Sequence, residues 1–384
     1  MTTKPLHFGF TYTPHGAHPG AWRHPDSRHD PFDPAQITAQ TQAVEAAGFT
    51  FIRFQDQLAP EARAAAHAPE ALARTEAFTT ASFLATRTKR LGFVVTGNTS
   101  YFEPFNLARL TASLDHVTHG RAGWELTSGA SYPAARNYSQ TEATPEVHYA
   151  RAAEVLDILR KLWDSWEDDA FIRNKATGEY VDGDRIHPIH HEGERFRIKG
   201  PLNVARPPQG QVVVAHEITS DLSYAIAAQA DLVFLGSHAP AEIRNRADAM
   251  REAVKAAGRA ADSVRLFADV IPVLAATPEA AKALLADLNA RAGQSADGYV
   301  IAGDAKQIAD QIEALAETGG VNGINIRSPL LPTQLEAFVE LVVPELKARG
   351  LWAEPKDGAT LRDHLGLDRP ANRLTTRADL KAAV

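Results

Sequence analysis

Cysteine is absent from this 384-residue chain. That excludes disulfides, thiolate nucleophiles and Cys-ligated metal sites. It leaves the redox compartment open, because a cysteine-free chain is stable in either setting. A basic excess is absent too. Forty Lys and Arg against 47 Asp and Glu give a formal charge of −7. Nothing there would neutralise a phosphate backbone, so nucleic acid is not an expected partner. No apolar run approaches the roughly 20 residues that span a bilayer, so no membrane association is expected. The opening MTTKPLHFGF lacks a charged segment leading into an apolar stretch and cleavage site, which argues against a signal peptide and for the cytoplasm. What is present is ordinary for a globular protein: 44% hydrophobic and 23% charged residues, in a length ample for a large core.

Short β-type runs alternate with longer helical ones, the pattern of parallel strands joined by helical crossovers. Strands are expected at 6–13, 51–54, 91–96, 121–126, 211–215, 232–235, 264–274 and 323–326. Helices are expected at 34–47, 69–87, 106–116, 220–229, 239–257, 278–290, 304–317 and 332–348. The clearest helix carries Ala152, Val155, Leu156, Leu159, Leu162, Trp163 and Trp166 on one stripe. A polar stretch rich in Asp, Gly and Pro follows it, read as an insertion over 167–210 with a hairpin near Phe196–Ile198; a tail over 349–384 is expected to wrap the outside. Eight strands with eight or more helices predict a single α/β domain, a (β/α)8 TIM barrel with an insertion after the fourth helix. A doubly wound sheet is the competing architecture. It would bring a glycine-rich phosphate turn after the first strand, and residues 14–23, PHGAHPGAWR, are not G-x-G-x-x-G.

A barrel of this kind places its chemistry at the C-terminal ends of its strands. Those ends supply His15 and His18, Asp56, Asn98 to Tyr101, Glu125 with Thr127 and Ser128, His216 and Glu217 with Thr219 and Ser220, Ser237 and His238, and Asp269. Plainer readings stand beside each. Asp56 has the character of a turn or capping residue. Thr99 and Ser100 would satisfy loop backbone groups. Thr219 to Asp221 would cap the next helix, whose free amides would equally suit a phosphate.

Several stretches carry more than a pattern. They are DHVTHGRAGW (115–124) followed by AARNYS (134–139), the long run from Leu162 to Gly210, LVVPELKARGL (341–351), TLRDHLGLDRPANR (360–373) and AWRHP (21–25). Together these resemble the flavin-dependent monooxygenases of the bacterial-luciferase-like superfamily, in the nitrilotriacetate and dibenzothiophene-sulfone branch. The resemblance implies a two-component enzyme. A separate flavin reductase, a transient partner, would supply reduced FMN, and the FMN and O2 would oxygenate a small-molecule substrate in a water-excluding pocket. It also implies a homo-oligomer. Carried over residue by residue, it places Asp56, Thr99, Ser100 and Tyr101 around the flavin ring, with Asn98 a further cofactor-binding candidate at the end of the same strand, and Tyr149, Thr219 and Ser220 near its phosphate. His15, His216 and Glu125 are the candidate catalytic groups.

Departures accompany the match. Glu125 stands where the family has Asn, and a buried carboxylate beside a flavin would disfavour an anionic reduced ring. Pro145 stands where a histidine is expected four residues before Tyr149. The turn after the fifth strand loses its Gly and gains Glu217, whose charge would repel a phosphate unless it points away. Two alternatives follow. One is a flavin-independent enzyme in which Asp56, Glu125 and His216 converge on a metal or form an acid/base set. The other is a non-catalytic paralogue or partner subunit that keeps the scaffold without the chemistry.

Overall fold

In this computed structural model, residues 5–27, 30–59, 74–129 and 132–375 are described. Eight parallel strands close on themselves. They are β1 (His7–Tyr12), β2 (Phe51–Phe54), β3 (Gly92–Asn98), β4 (Ala122–Thr127), β5 (Val213–Glu217), β6 (Leu232–Phe234), β7 (Arg265–Leu274) and β8 (Gly323–Ile326). Each pairs with the next, and β8 returns to β1 with His7 opposite Gly323. The closed (β/α)8 barrel is the expected architecture, and the doubly wound sheet is set aside.

Crossover helices α1 (Pro34–Ala47), α2 (Ala77–Ala85), α3 (Pro104–Val117), α4 (Pro145–Trp163), α5 (Ser223–Ala227), α6 (Pro240–Ala256), α7 (Pro278–Ala292) and α8 (Ala305–Gly319) surround it. Five of these open on proline, whose fixed φ and missing N–H suit the first turn. Of the helix expected over 69–87, the described part is α2. Residues 69–73 lie outside the described chain, and Glu76 sets the start by accepting from the amides of Phe78 and Thr79 at 2.9 and 2.7 Å. The helix expected over 220–229 shrinks to α5. Ser223 Oγ lies 3.2 and 3.3 Å from the amides of Thr219 and Ser220 and holds that stretch as a turn.

A strand that the sequence reading lacked, Val300–Gly303, pairs with Ile271–Leu274. At ten residues β7 outruns its barrel neighbours, so its last residues offer a free edge. The 167–210 segment forms two small hairpins, Phe171–Asn174 with Glu179–Val181 and His191–Glu192 with Arg197–Ile198.

The bore is packed. Phe51, Val94, Val213, Ala215, Leu232, Phe234 and Phe267, alternate residues of their strands, form one apolar cluster, completed by Leu361 and Leu365. Gly9 makes room for it: a Cβ there would sit 2.3 Å from the Phe51 ring. The tail therefore does more than wrap the outside, because its i, i+4 leucines plug the barrel's N-terminal end. Several of the family-like stretches converge on the same end. Buried Asp115 accepts from Gln209 Nε2 at 2.6 Å, and Gln209 Oε1 accepts from the Arg362 amide at 2.9 Å. Buried Asp164 likewise joins Arg206, Gln211 and Arg373. These signature residues fasten the base of the barrel; they are not at its mouth.

Candidate active site

Between the apolar bore and the mouth lies a buried layer of charge. Arg53 on β2 forms a two-pronged ion pair with Glu125 on β4; the Nε–Oε2 bond is 2.8 Å and both side chains are 1% exposed. Its Nη2 also reaches Glu217 Oε2 at 2.5 Å, and its Nη1 lies 3.8 Å from Asp269 Oδ2. The guanidinium stacks 4.0 Å from the centroid of Phe234. Asn325 on β8 bridges Thr11 and Asp269 at 2.8 and 3.0 Å. Burial pushes the Asp269 carboxyl above the usual carboxylate range, while the charge of Arg53 holds Glu217 below it against burial. Glu125 is thus committed to a buried ion pair with Arg53, a guanidinium it shares with Glu217.

Above this layer, an arc of polar groups runs from β3 to β5. Asn98 ties its neighbours together: Nδ2 donates to Gly129 O at 2.9 Å and Oδ1 accepts from the Ser100 amide at 2.8 Å. Thr99 Oγ1 donates to Thr127 O at 3.0 Å. The plainer reading, satisfaction of loop backbone, describes both residues well. Ser100 does more. Its Oγ accepts from the Gly129 amide at 2.9 Å and lies 2.8 Å from His148 Nδ1. Burial holds the His148 imidazole below its ordinary range, with the nearby Arg151 charge acting in the same direction. Arg151 Nε donates to Thr99 O at 2.7 Å, so the first turns of α4 are stitched to the loop after β3.

His216 is buried on β5. Its Nδ1 lies 2.7 Å from Leu126 O, which can only accept, so the proton sits on Nδ1 and Nε2 carries the lone pair. Among the described residues that Nε2 has no hydrogen-bond partner, nor do the buried hydroxyls of Thr127 and Ser128 at the end of β4. Burial keeps the imidazole below its ordinary pKa and therefore neutral at neutral pH. The Tyr149 ring meets that of His216 edge-on at 6.4 Å, and the Tyr149 hydroxyl lies 3.3 Å from Thr219 Oγ1.

Thr219, Tyr149 and His216 are therefore brought together, while Ser100 reaches His148, the residue before Tyr149 on α4, with Asn98 and Thr99 behind it. The other candidates make different contacts. Tyr101 stacks on Tyr138 at 4.8 Å and lines a groove of 540 Å³ against α3, with Phe102, Asn106, Arg109 and Leu110. Asp56 accepts from the next amide, Gln57, at 2.8 Å; burial raises its pKa. His15, at φ +67°, lies 3.2 Å from Ser27 Oγ beyond β1. Ser220 is exposed, and its amide faces Ser223 Oγ, so the helix start offers fewer free amides than the sequence suggested. Asp56, Glu125 and His216 do not form a metal set. Among the described residues no group of three or more such side chains is placed to hold a metal ion.

Sequence reasoning missed Arg53 and His148. A lone arginine on an inward-facing position of FIRF, opposite a gained glutamate, was the available signal for the first. The second sits beside Tyr149 on the same helical turn, three residues after Pro145. Among the described residues no helix is long and apolar enough to cross a membrane.

Residues 10–299 match the family described as luciferase-like monooxygenase. The N-acetyl-S-(2-succino)cysteine monooxygenase of Bacillus subtilis (strain 168) is 32% identical, over 96% of this chain and 98% of that protein. Nitrilotriacetate monooxygenase component A of Aminobacter aminovorans is likewise 32% identical, over 96% and 98%. A riboflavin lyase solved with modified FMN and riboflavin superposes with a TM-score of 0.88 at 27% identity, covering 96% of this chain and 97% of that one.

Proposed function

Because this chain belongs to the luciferase-like monooxygenase family, and is thereby a flavin-dependent oxidoreductase, we propose that its cofactor is reduced FMN, delivered by a separate flavin reductase and used with O2 to oxygenate a small organic substrate. The observation that carries this reading is the set of buried polar atoms left without a partner among the described residues at the ends of β4 and β5: Thr127 Oγ1, Ser128 Oγ and His216 Nε2. Buried polar atoms are normally satisfied, so an unsatisfied group of them beside a mouth calls for a polar ligand. A flavin offers ring N–H and carbonyl groups for the neutral His216 and the two hydroxyls, and a ribityl phosphate for the hydroxyls of Tyr149 and Thr219. When bound, reduced FMN supplies the two electrons that let O2 place one oxygen on the substrate and release the other as water.

The chain's own residues do the rest. Arg53 answers the objection raised by Glu125, because that carboxylate is turned onto a guanidinium and does not face a reduced ring alone. The Ser100–His148 contact and the Arg151 bond to Thr99 hold the wall of the site rigid, which keeps bound groups oriented and water out. His216, neutral and fixed through Nδ1, keeps one acceptor aimed away from its strand partner and able to take or hold a proton. The family match favours this reading over a non-catalytic subunit.

Anaerobic titration of the pure protein with oxidised and reduced FMN tests it. Saturable quenching of flavin fluorescence and a perturbed flavin spectrum are expected, with tighter binding of the reduced form. No affinity for either form would end the proposal.

A further inference from the structure

At the other end of the barrel, away from the mouth, a cavity of 470 Å³ opens beneath β5 and β6. Its size falls within the ~300–1,000 Å³ range of small-molecule sites. Gln211 and Asp231, which precede those strands, contribute to its wall, as do Arg160 from the last turn of α4, Arg259 just beyond α6, and Arg362 from the tail. Three guanidiniums thus face one carboxylate. That carboxylate is already taken, because Asp231 Oδ2 accepts from Arg362 Nη2 at 2.8 Å and from the Val214 amide at 3.0 Å.

Arg160 and Arg259 are held by carbonyls instead. Arg160 Nη2 donates to Gln229 O, and Arg259 Nη1 donates to Ala228 O and Ala230 O at 2.8 and 2.6 Å. Among the described residues neither pairs with a carboxylate, and each guanidinium carries five N–H donors, so several remain for a ligand. Burial depresses the pKa of both; the Asp231 carboxylate offsets part of that, and the neighbouring guanidiniums add a smaller repulsion. Like charges packed this way with one committed counter-ion are relieved by an incoming anion, and a planar guanidinium fork matches phosphate and carboxylate oxygens in pairs.

We propose that this cavity binds a small oxyanion, a phosphate or carboxylate group of a metabolite, between Arg160 and Arg259. Such a ligand fastens the tail at Arg362 and Pro370 onto α4 and the end of α6. It acts on the stability of the barrel's base and does not compete with a flavin at the mouth.

The test reads the site directly. The wild-type protein is labelled with phenylglyoxal at constant ionic strength, and each arginine is quantified by peptide mass spectrometry. At ten times its Kd, inorganic phosphate should slow labelling of Arg160 and Arg259 about ten-fold. Arg244, which is exposed and pairs with Asp248, should react unchanged. Succinate in place of phosphate separates the two sources of the same chemistry: protection by either anion supports the site, and protection by neither overturns it. A second measurement uses variants. Phosphate should raise Tm saturably, and Arg259→Gln should abolish the rise while Ser220→Ala at the mouth keeps it. A folded Arg259→Gln protein with the full rise would also overturn the assignment.

Discussion

Arg53 and Glu125 meet across the bore of the barrel, from β2 and β4, and both are withdrawn from solvent. They carry opposite charges into a space that also holds Glu217 and Asp269. Arg53→Met should therefore lower stability by about 3–5 kcal/mol, because it strands buried carboxylates without a partner. Removing the partner as well, in Arg53→Met/Glu125→Leu, should restore part of that loss. Urea unfolding of the two variants decides the matter; a double variant less stable than the single one contradicts this account.

His216 predicts an acidic limb. Its folded pKa is depressed by burial, so the ring is neutral above its ordinary value of about 6.5 and gains a proton only at lower pH. Reduced-FMN-dependent turnover should be flat from neutral pH upward and fall somewhere below pH ~6.5. His216→Asn should cost on the order of 100-fold in kcat/KM and remove that limb. An unchanged pH–rate profile in the variant would show that His216 has no part in the chemistry.

Tyr149 and Thr219 predict a binding effect. Their hydroxyls lie 3.3 Å apart at the rim, and neither supports a strand. Tyr149→Phe/Thr219→Val should raise the Kd for FMN by roughly ten-fold, the equivalent of one or two hydrogen bonds. The urea midpoint should stay nearly constant. Equal affinity for FMN in the double variant would move the phosphate elsewhere.

His7 predicts acid sensitivity of the fold. At the base of β1, burial first, and then the charges of Arg265 and His364, lower its pKa from 6.5 to about 4. The unfolded chain therefore binds the proton more readily than the folded one between those values. Stability is full above pH ~6.5 and declines as pH falls toward 4, by up to about 3 kcal/mol from this residue alone. His7→Gln should flatten the dependence of urea midpoint on pH over that window. A slope identical to the wild type would assign the acid loss to other histidines.

Much of this protein could be read along the chain. Strand and helix periodicity, proline at helix starts and the absence of a glycine-rich phosphate turn led to the closed barrel, because those signals are local and repeat. The quoted stretches led to the family for a different reason. Asp115, Gln209, Asp164 and Arg362 lock the base of the barrel, and a buried hydrogen-bond network tolerates little change.

The mouth was legible only as a set of candidates. Which strand-end residues face one another depends on register and on how loops fold back, so Tyr149 and Thr219 were brought to His216 while Tyr101 turned toward Tyr138. The meaning of Glu125 was decided only in three dimensions. A carboxylate is an active group or a spent one according to what lies opposite it, and its partner Arg53 comes from a strand 72 residues away. Local spacing carries periodicity; charge compensation is a property of the assembled bore.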